Sequence, residues 1–365
     1  MAVKIFMIDS YYIMIKVLLV ILFISFFVSC RSQQAPFFDE ELWLERVKAA
    51  DPALLYAPHQ DGNGVFFNPW MPRSVDRPKG RRGFFFRKKM KFGEFPAEQY
   101  GPVDNGYDYL ADPDNTSVSY VGHASFFIKI DGATIALDPF FSNKALIISK
   151  KVKIPFDYSL LPERPVVLLS HNHYDHLDTK TIKQFIKKDA VFIVPVGLKK
   201  FIEKKGAGEV HELDWWQSVT IGTVKYTLVP AQHWSRRIGQ KSSVTLWGGF
   251  IIEGSKTFYF SGDSGYFCGF KEFGERYSID YAIVGAGAYE PRWFMHYQHT
   301  NIEEFFRAAE DLKAKTVIPM HFGIISQSDE PLVYPFHAIK TYMEQNPQYD
   351  NQVKPLRVGE FINIP

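Results

Sequence analysis

The sequence predicts a layered α/β protein, two β-sheets sandwiched between helices. Three observations carry that reading. From Ser117 onward, apolar runs of strand length alternate with segments of helical period. Turn residues punctuate them, at Asp131-Gly132, Asp138-Pro139 and Gly206. The same alternation recurs in the second half, where strands again lead into short loops bearing histidine or aspartate. With 365 residues, 46% of them hydrophobic and 16% aromatic, the chain can bury a large core as one substantial domain. The net charge of +2 gives no reason to expect a nucleic-acid partner. Residues 1–30 read as an export segment, 31–116 as an N-terminal arm and 117–365 as the main α/β domain.

In the export segment, Lys16 precedes an apolar run over 17–28, which ends at Ser29-Cys30. The run is shorter than the ~20 residues a membrane-spanning helix needs and matches the core of a signal peptide. Ser29-Cys30 resembles a bacterial lipobox, in which Cys30 becomes the acylated first residue of a lipoprotein; an uncleaved anchor is the alternative. Met14 is an alternative start, because Met14-Ile15-Lys16 makes a compact leader. Either way the body is tethered to a membrane of the bacterial cell envelope. Cys268 is the only other cysteine, so with Cys30 lipidated no internal disulfide forms.

The arm holds one short helix, over 40–50. It also interleaves Arg73, Arg77, Lys79, Arg81, Arg82, Arg87, Lys88, Lys89 and Lys91 with Phe84, Phe85, Phe86 and Phe92. That mixture suits a membrane interface, the alternative being solvated cations on core-packed rings. Strands are expected over 118–130, 133–137 and 165–170. A helix over 179–188 follows with Asp178 as N-cap, then a strand over 191–196 and a helix over 198–205 closed by Gly206. Further strands are expected over 219–221, 224–230, 244–252, 257–261, 281–284 and 316–320. Thr300-Asn301-Ile302-Glu303 reads as a capping box opening a helix to residue 312, and a last helix over 334–345 precedes a short terminal strand.

The stretch Ser170-His171-Asn172-His173-Tyr174-Asp175-His176-Leu177-Asp178 follows the apolar run 166–169. His171 and His173 stand two apart at a strand end, so their side chains leave one face and can reach one ion. Asp175 and His176 fall where the chain turns toward a helix; aimed differently, they suit a second ion. Imidazole nitrogen with carboxylate oxygen favours zinc, with iron or manganese as substitutes, and no nearby cysteine supplies a closed thiolate site. His233, Asp263 and His321 each lie just past an apolar strand. Singly each reads as a turn or core residue; with the first cluster they complete two metal spheres.

His171, His173, Asp175 and His176 resemble the signature of the metallo-β-lactamase superfamily. Phe67-Asn68-Pro69-Trp70, Gly122-His123-Ala124, Leu213-Asp214-Trp215-Trp216, Gln232-His233-Trp234, Gly262-Asp263-Ser264-Gly265-Tyr266 and the block 287–295 extend the likeness. Together they resemble the N-acylphosphatidylethanolamine-hydrolysing phospholipases D over residues 67–323. Lys150 and its neighbours in 149–154 depart from the pattern, and the chain beyond Gly323 matches poorly.

The resemblance implies that superfamily's αββα sandwich, here with an N-terminal arm, and two Zn2+ ions. It implies that His171, His173 and His233 hold one ion, that Asp175, His176 and His321 hold the other, and that Asp263 bridges them. Asp138 would orient a ligand imidazole, unless it is only an Asp-Pro turn, and His123 would stand near the site without binding metal. His299 would bind phosphate or assist the leaving group, the alternative being a structural histidine ahead of the helix cap. Asp175, Asp263 and His299 are thus the expected catalytic residues. The implied reaction is in-line attack on phosphorus by a hydroxide between the two cations, yielding N-acylethanolamine and phosphatidic acid. The implied partners are a phospholipid substrate and a membrane surface, with a homodimer left open. The rivals are a lactone, ester or other phosphodiester hydrolase on the same scaffold, and a surface lipoprotein that binds metal or lipid without turnover.

Overall fold

A computed structural model describes residues 38–72, 89–103, 107–110, 112, 115–154 and 156–365. The export segment with Met14 and Cys30, and the part of the basic aromatic run over 73–88, lie outside the described residues. Among the described residues no helix is long and apolar enough to cross a membrane. Asp39–Ser74 and Met90–Pro365 form a single unit.

The unit opens with α1 (Glu40–Lys48), capped by Asp39, whose carboxylate accepts from the Leu42 N–H. Strands β1 (Ser117–Gly122), β2 (Ser125–Ile130) and β3 (Ala133–Leu137) follow as an antiparallel meander. A small hairpin of β4 (Lys144–Ala145) and β5 (Ile148–Ser149) comes next. Then β6 (Val166–Leu168), α2 (Thr179–Ile186), β7 (Val191–Pro195), α3 (Lys199–Glu203) and β8 (Glu209–Leu213) extend the sheet from β3 in parallel, the helices serving as the crossovers that parallel strands need.

The second sheet repeats this plan. Strands β9 (Ser218–Ile221), β10 (Val224–Val229), β11 (Gly249–Glu253) and β12 (Thr257–Phe260) are antiparallel. After α4 (Gly269–Arg276), strand β13 (Tyr281–Gly285) pairs parallel to β12; after α5 (Arg292–Met295) and α6 (Ile302–Leu312), β14 (Thr316–Met320) pairs parallel to β13. Helix α7 (Tyr334–Gln345) leads to β15 (Phe361–Asn363), which returns antiparallel onto β1. The strand orders are β15-β1-β2-β3-β6-β7-β8 and β14-β13-β12-β11-β10-β9.

Every residue of β1 and β2 is buried, as expected for strands covered on both faces. On one face Phe127, Ala136, Val167, Phe192 and Val194 meet Ile182, Phe185 and Ile202 of the crossover helices. Each such large side chain contributes ~1.5–3 kcal/mol by burial. On the second sheet, Tyr259 packs edge-on to Phe270 and tilted to Phe273 of α4.

The α/β class is as predicted, with local corrections. The strand expected over 118–130 is two strands, broken at His123, because His123 turns out to pair with Phe322 as an isolated bridge. The strand expected over 244–252 begins at Gly249; residues before it bind the other sheet's loops, Leu246 N–H donating to Val196 O at 2.8 Å and Gly248 N–H to Ser170 O at 3.0 Å. The capping box sits one residue later than expected, with Asn301 and Glu304 exchanging bonds of 2.8 and 3.0 Å. Strand β8, helix α4 and the β4–β5 hairpin were not expected.

Candidate metal centre

Six strand ends supply the cluster: His123 follows β1, Asp138 follows β3, residues 170–176 follow β6, His233 follows β10, Asp263 follows β12 and His321 follows β14. His171, His173, His233 and Asp263 present potential ligand atoms all within 4.8 Å of one another, and so do His123, Asp175, His176 and His321. Each group draws side chains from both sheets.

The backbone is bent to make this convergence. Gly262 has φ +55°, and a Cβ there would stand 2.6 Å from Ser170 Cβ and 2.9 Å from Gly248 O, so a glycine is required to bring Asp263 against the histidine loop. His123, Asp138 and His321 all adopt positive φ, at +58°, +36° and +74°. Left-handed backbone at non-glycine residues is costly and concentrates at functional sites. His123 N–H donates to Phe322 O at 3.0 Å and His321 N–H to His123 O at 2.8 Å, which locks the β1–β2 break to the loop after β14.

Asp138 organises the imidazoles. Its carboxylate accepts from the Ser170 N–H at 2.7 Å, from Ser170 Oγ at 2.5 Å and from His176 Nδ1 at 2.6 Å, while His171 Nδ1 lies 2.8 Å from Ser170 Oγ. The chain of donors is His171 Nδ1–H to Ser170, Ser170 to Asp138, and His176 Nδ1–H to Asp138. Both rings thereby hold Nδ1–H outward and turn Nε2 inward, as a lone pair in His171 and in His176 once a cation takes the place of its second proton. His233 does the same through Nδ1 against Gln298 O at 3.3 Å. His171 Nε2 and His233 Nε2 then stand 2.8 and 3.2 Å from His173 Nδ1, three nitrogens converging on one point.

Asp263 lies between the two groups. One oxygen is 3.1 Å from His176 Nε2, 3.7 Å from His233 Nε2 and 3.8 Å from His171 Nε2; the other is 2.9 Å from His321 Nε2. Asp175 is 2.7 Å from His123 Nε2 and 3.3 Å from His176 Nε2.

Burial keeps most of the imidazoles neutral. It pushes His171 and His233 well below the usual range and His173 down to about 4. For Asp175 and Asp263 burial acts upward, but the surrounding imidazoles, His176 foremost, outweigh it and hold both carboxyls well below the usual range. His176 is the reverse case: burial opposes its charge, yet Asp263, Asp175 and Asp138 raise it well above the ordinary histidine range. The cluster therefore stabilises positive charge at its centre. Neutral nitrogen donors, ionised carboxylates and that central bias form a donor set suited to divalent cations. Buried His176 Nε2 and His321 Nε2 stand 3.1 and 2.9 Å from the Asp263 carboxylate without hydrogen-bond geometry, as atoms that share an ion would.

All seven residues expected to bind metal converge here. Asp138 hydrogen-bonds a ring as expected, and His123 lies within one candidate group. His299 rests beside them, its ring 4.9 Å from that of His321 and 5.6 Å from that of His233. Burial lowers it to about 3, so it is neutral at physiological pH.

Sequence reasoning gave no role to four supporting residues. Ser170 relays Asp138 to His171. Arg237 braces the histidine loop, donating to Asn172 O at 2.9 Å and Leu177 O at 3.0 Å with its guanidinium 3.8 Å from the Tyr174 ring centre. Asn68 donates to His233 O at 3.2 Å, and Trp70 Nε1 to Gln232 Oε1 at 3.2 Å. A buried polar group in an aromatic segment, as in Phe67-Asn68-Pro69-Trp70, was the available signal for the last two; Arg237 carried none.

Residues 133–322 match a family model described as a β-lactamase superfamily domain. The chain is 32% identical over 246 residues to an N-acyl-phosphatidylethanolamine-hydrolyzing phospholipase D of Caenorhabditis elegans, covering 62% of this chain and 66% of that protein. It is 29% identical over 242 residues to the mitochondrial enzyme of that name from Saccharomyces cerevisiae, covering 62% and 51%. The matches thus span just under two-thirds and about half of those relatives. A metal-dependent hydrolase of Anoxybacillus flavithermus is 30% identical over 256 residues, 68% of this chain and 99% of that one. Among solved structures, a metallo hydrolase of Ignicoccus hospitalis has the same fold, with TM-score 0.53 and 23% identity over 69% of this chain and 99% of that chain.

Proposed function

The chain belongs to the metallo-β-lactamase superfamily and is a metal-dependent hydrolase, and from that premise we propose that it is a dizinc phosphodiesterase of the phospholipase D type. Its substrate in this reading is N-acylphosphatidylethanolamine, cleaved to N-acylethanolamine and phosphatidic acid. The observation that carries it is Asp263, whose carboxylate faces both ligand groups, one oxygen 2.9 Å from His321 Nε2 and the other 3.7 and 3.8 Å from the Nε2 atoms of His233 and His171. The names of the worm and yeast relatives supply the substrate class.

His171, His173 and His233 would hold one ion and Asp175, His176 and His321 the other, with Asp263 shared. Two such cations supply Lewis acidity toward phosphoryl oxygens and a nucleophile from water near neutral pH. The chain's residues do the rest. Asp138 and Ser170 fix the tautomers of His171 and His176. Arg292 donates to His299 O at 3.1 Å and so anchors the backbone from which the His299 imidazole would hydrogen-bond a phosphoryl or leaving-group oxygen. The oxygen of water joins phosphorus, the bond from phosphorus to the ethanolamine oxygen breaks, and a proton passes to that oxygen. Residues 1–30 serve in this reading as a lipoprotein signal, with acylated Cys30 holding the enzyme on the envelope membrane that carries its substrate.

A second reading, a hydrolase of soluble esters, lactones or other phosphodiesters, is favoured by the match that covers 99% of the Anoxybacillus metal-dependent hydrolase. The test is mass-spectrometric product analysis of the zinc-loaded chain with liposomes of N-acylphosphatidylethanolamine, beside Asp263→Ala and His299→Ala. N-acylethanolamine and phosphatidic acid from the intact site alone uphold the reading. A folded, metal-loaded protein that spares this lipid and cleaves a lactone sinks it, and full turnover by His299→Ala removes His299 from the mechanism.

A further inference from the structure

The β4–β5 hairpin presents aliphatic side chains to water. Ile147 is 82% exposed and Leu146 46%, and on a nearby loop Ile238 is 72% exposed. Leu146 and Ile147 form the two-residue turn between the paired strands, and Leu146 takes φ +55°. Glycine or asparagine adopts that conformation readily in such turns; leucine does not. An apolar pair held outward on a strained turn runs against both turn chemistry and burial, a conflict expected where function demands it.

The hairpin is anchored at its base to loops beside the candidate centre. Lys150 N–H donates to Asn143 O at 2.9 Å, Lys151 N–H to Ile324 O at 2.8 Å, three residues past His321, and Lys150 Nζ to Phe140 O. Lys144 and Leu146 line one cleft of about 670 Å3 together with Arg237 and Tyr174. Ile238 N–H donates to Tyr174 Oη at 3.2 Å, so the hairpin tip and the Ile238 loop border the same cleft. Tyr174 itself stands between His173 and Asp175.

Charge selects the partner. Residues 141–154 and 234–247 contain seven lysines and arginines and no aspartate or glutamate. Lys144, Lys151, Lys153 and Lys241 are exposed and make no ion pair among the described residues. We propose that the β4–β5 hairpin and the Ile238 loop form a docking surface that inserts Leu146, Ile147 and Ile238 into an anionic lipid bilayer, with the lysines on its headgroups. Aliphatic tips belong at the acyl boundary, and each cation near an anionic surface is worth about fivefold in binding. The inference rests on the lipid-substrate reading for its purpose, while its test needs no turnover.

A nitroxide label on Ile147→Cys, in a Cys30→Ser, Cys268→Ser background of the full chain with the unmodified-Ile147 parent as blank, reports insertion by electron paramagnetic resonance. Ser255→Cys, at the opposite end of β12 from Asp263, is the reference position. On vesicles containing phosphatidylglycerol the label at 147 becomes accessible to oxygen and shielded from an aqueous relaxant, while that at 255 stays aqueous. Lys151→Glu with Lys153→Glu lowers the inserted fraction at least about tenfold. A label at 147 that stays aqueous on every vesicle overturns the proposal, as does one that becomes buried without lipid as protein concentration rises, which marks a contact between copies. Insertion without cleavage of N-acylphosphatidylethanolamine upholds the docking surface and removes only the substrate.

Discussion

Two buried polar clusters lie side by side in this protein and differ in one respect. Around Arg292 every strong group meets a complement: its guanidinium reaches Glu40 Oε1 and Glu304 Oε1 at 2.7 Å each, Trp43 Nε1 donates to Glu304 at 3.0 Å, and Glu304 also accepts the Asn301 N–H at 3.0 Å. The cluster around Asp263 instead crowds His176 and His321, equally buried, within 3.1 Å of its carboxylate without hydrogen-bond geometry. The first is closed upon itself and ties α1 to α6. The second is open at its centre and is completed by something it binds. Burial of polar groups alone does not mark a functional site; several metal-ligating groups converging on one another without hydrogen-bonding do.

Substitutions sharpen the contrast. Asp263→Asn is expected to lower turnover on the order of a thousandfold, to reduce bound metal and to gain less melting temperature on metal addition than the parent does. An unchanged gain on metal addition would place Asp263 with the structural cluster. Arg292→Met should act on the fold instead, costing about 3–5 kcal/mol in urea unfolding by stranding Glu304 while leaving metal content level. Asp138→Asn sits between the two: chelator competition should show metal affinity reduced about 10–100-fold with the fold intact. The smallest effect concerns Lys150, whose ammonium burial pushes down to about 7. Between about pH 7 and its ordinary value the unfolded chain binds the extra proton, so stability rises with pH there, by up to ~1 kcal/mol per unit. Lys150→Met should flatten that slope in denaturation curves at pH 7, 8 and 9.

Much of the open cluster was legible in the sequence, because metal ligands are local in spacing and follow apolar strands. His171, His173, Asp175 and His176 announce themselves, and His233, Asp263 and His321 share their setting. The closed cluster was not legible: Glu40, Arg292 and Glu304 are scattered charges until α1 and α6 are brought together. Fold errors have similar causes. Strand β8 was missed because Glu209–Leu213 is half-exposed at a sheet edge and reads as polar. Helix α4 was missed because Gly269 and Gly274 weaken its helical signal. Residues 244–248 look like strand yet serve as a tether, since Leu246 and Gly248 spend their N–H groups on Val196 and Ser170.

Because each ligand group takes side chains from both sheets, a cation in either would act as a rivet through the sandwich. Shear between the sheets would then load the coordination bonds before it strained any strand pairing. Metal binding adds to the stability of the native state alone and falls away with dilution of the ion. Stripping the metal should therefore loosen the seam between the layers, quickening amide exchange at the β10, β12 and β14 ends while the interiors of both sheets stay protected.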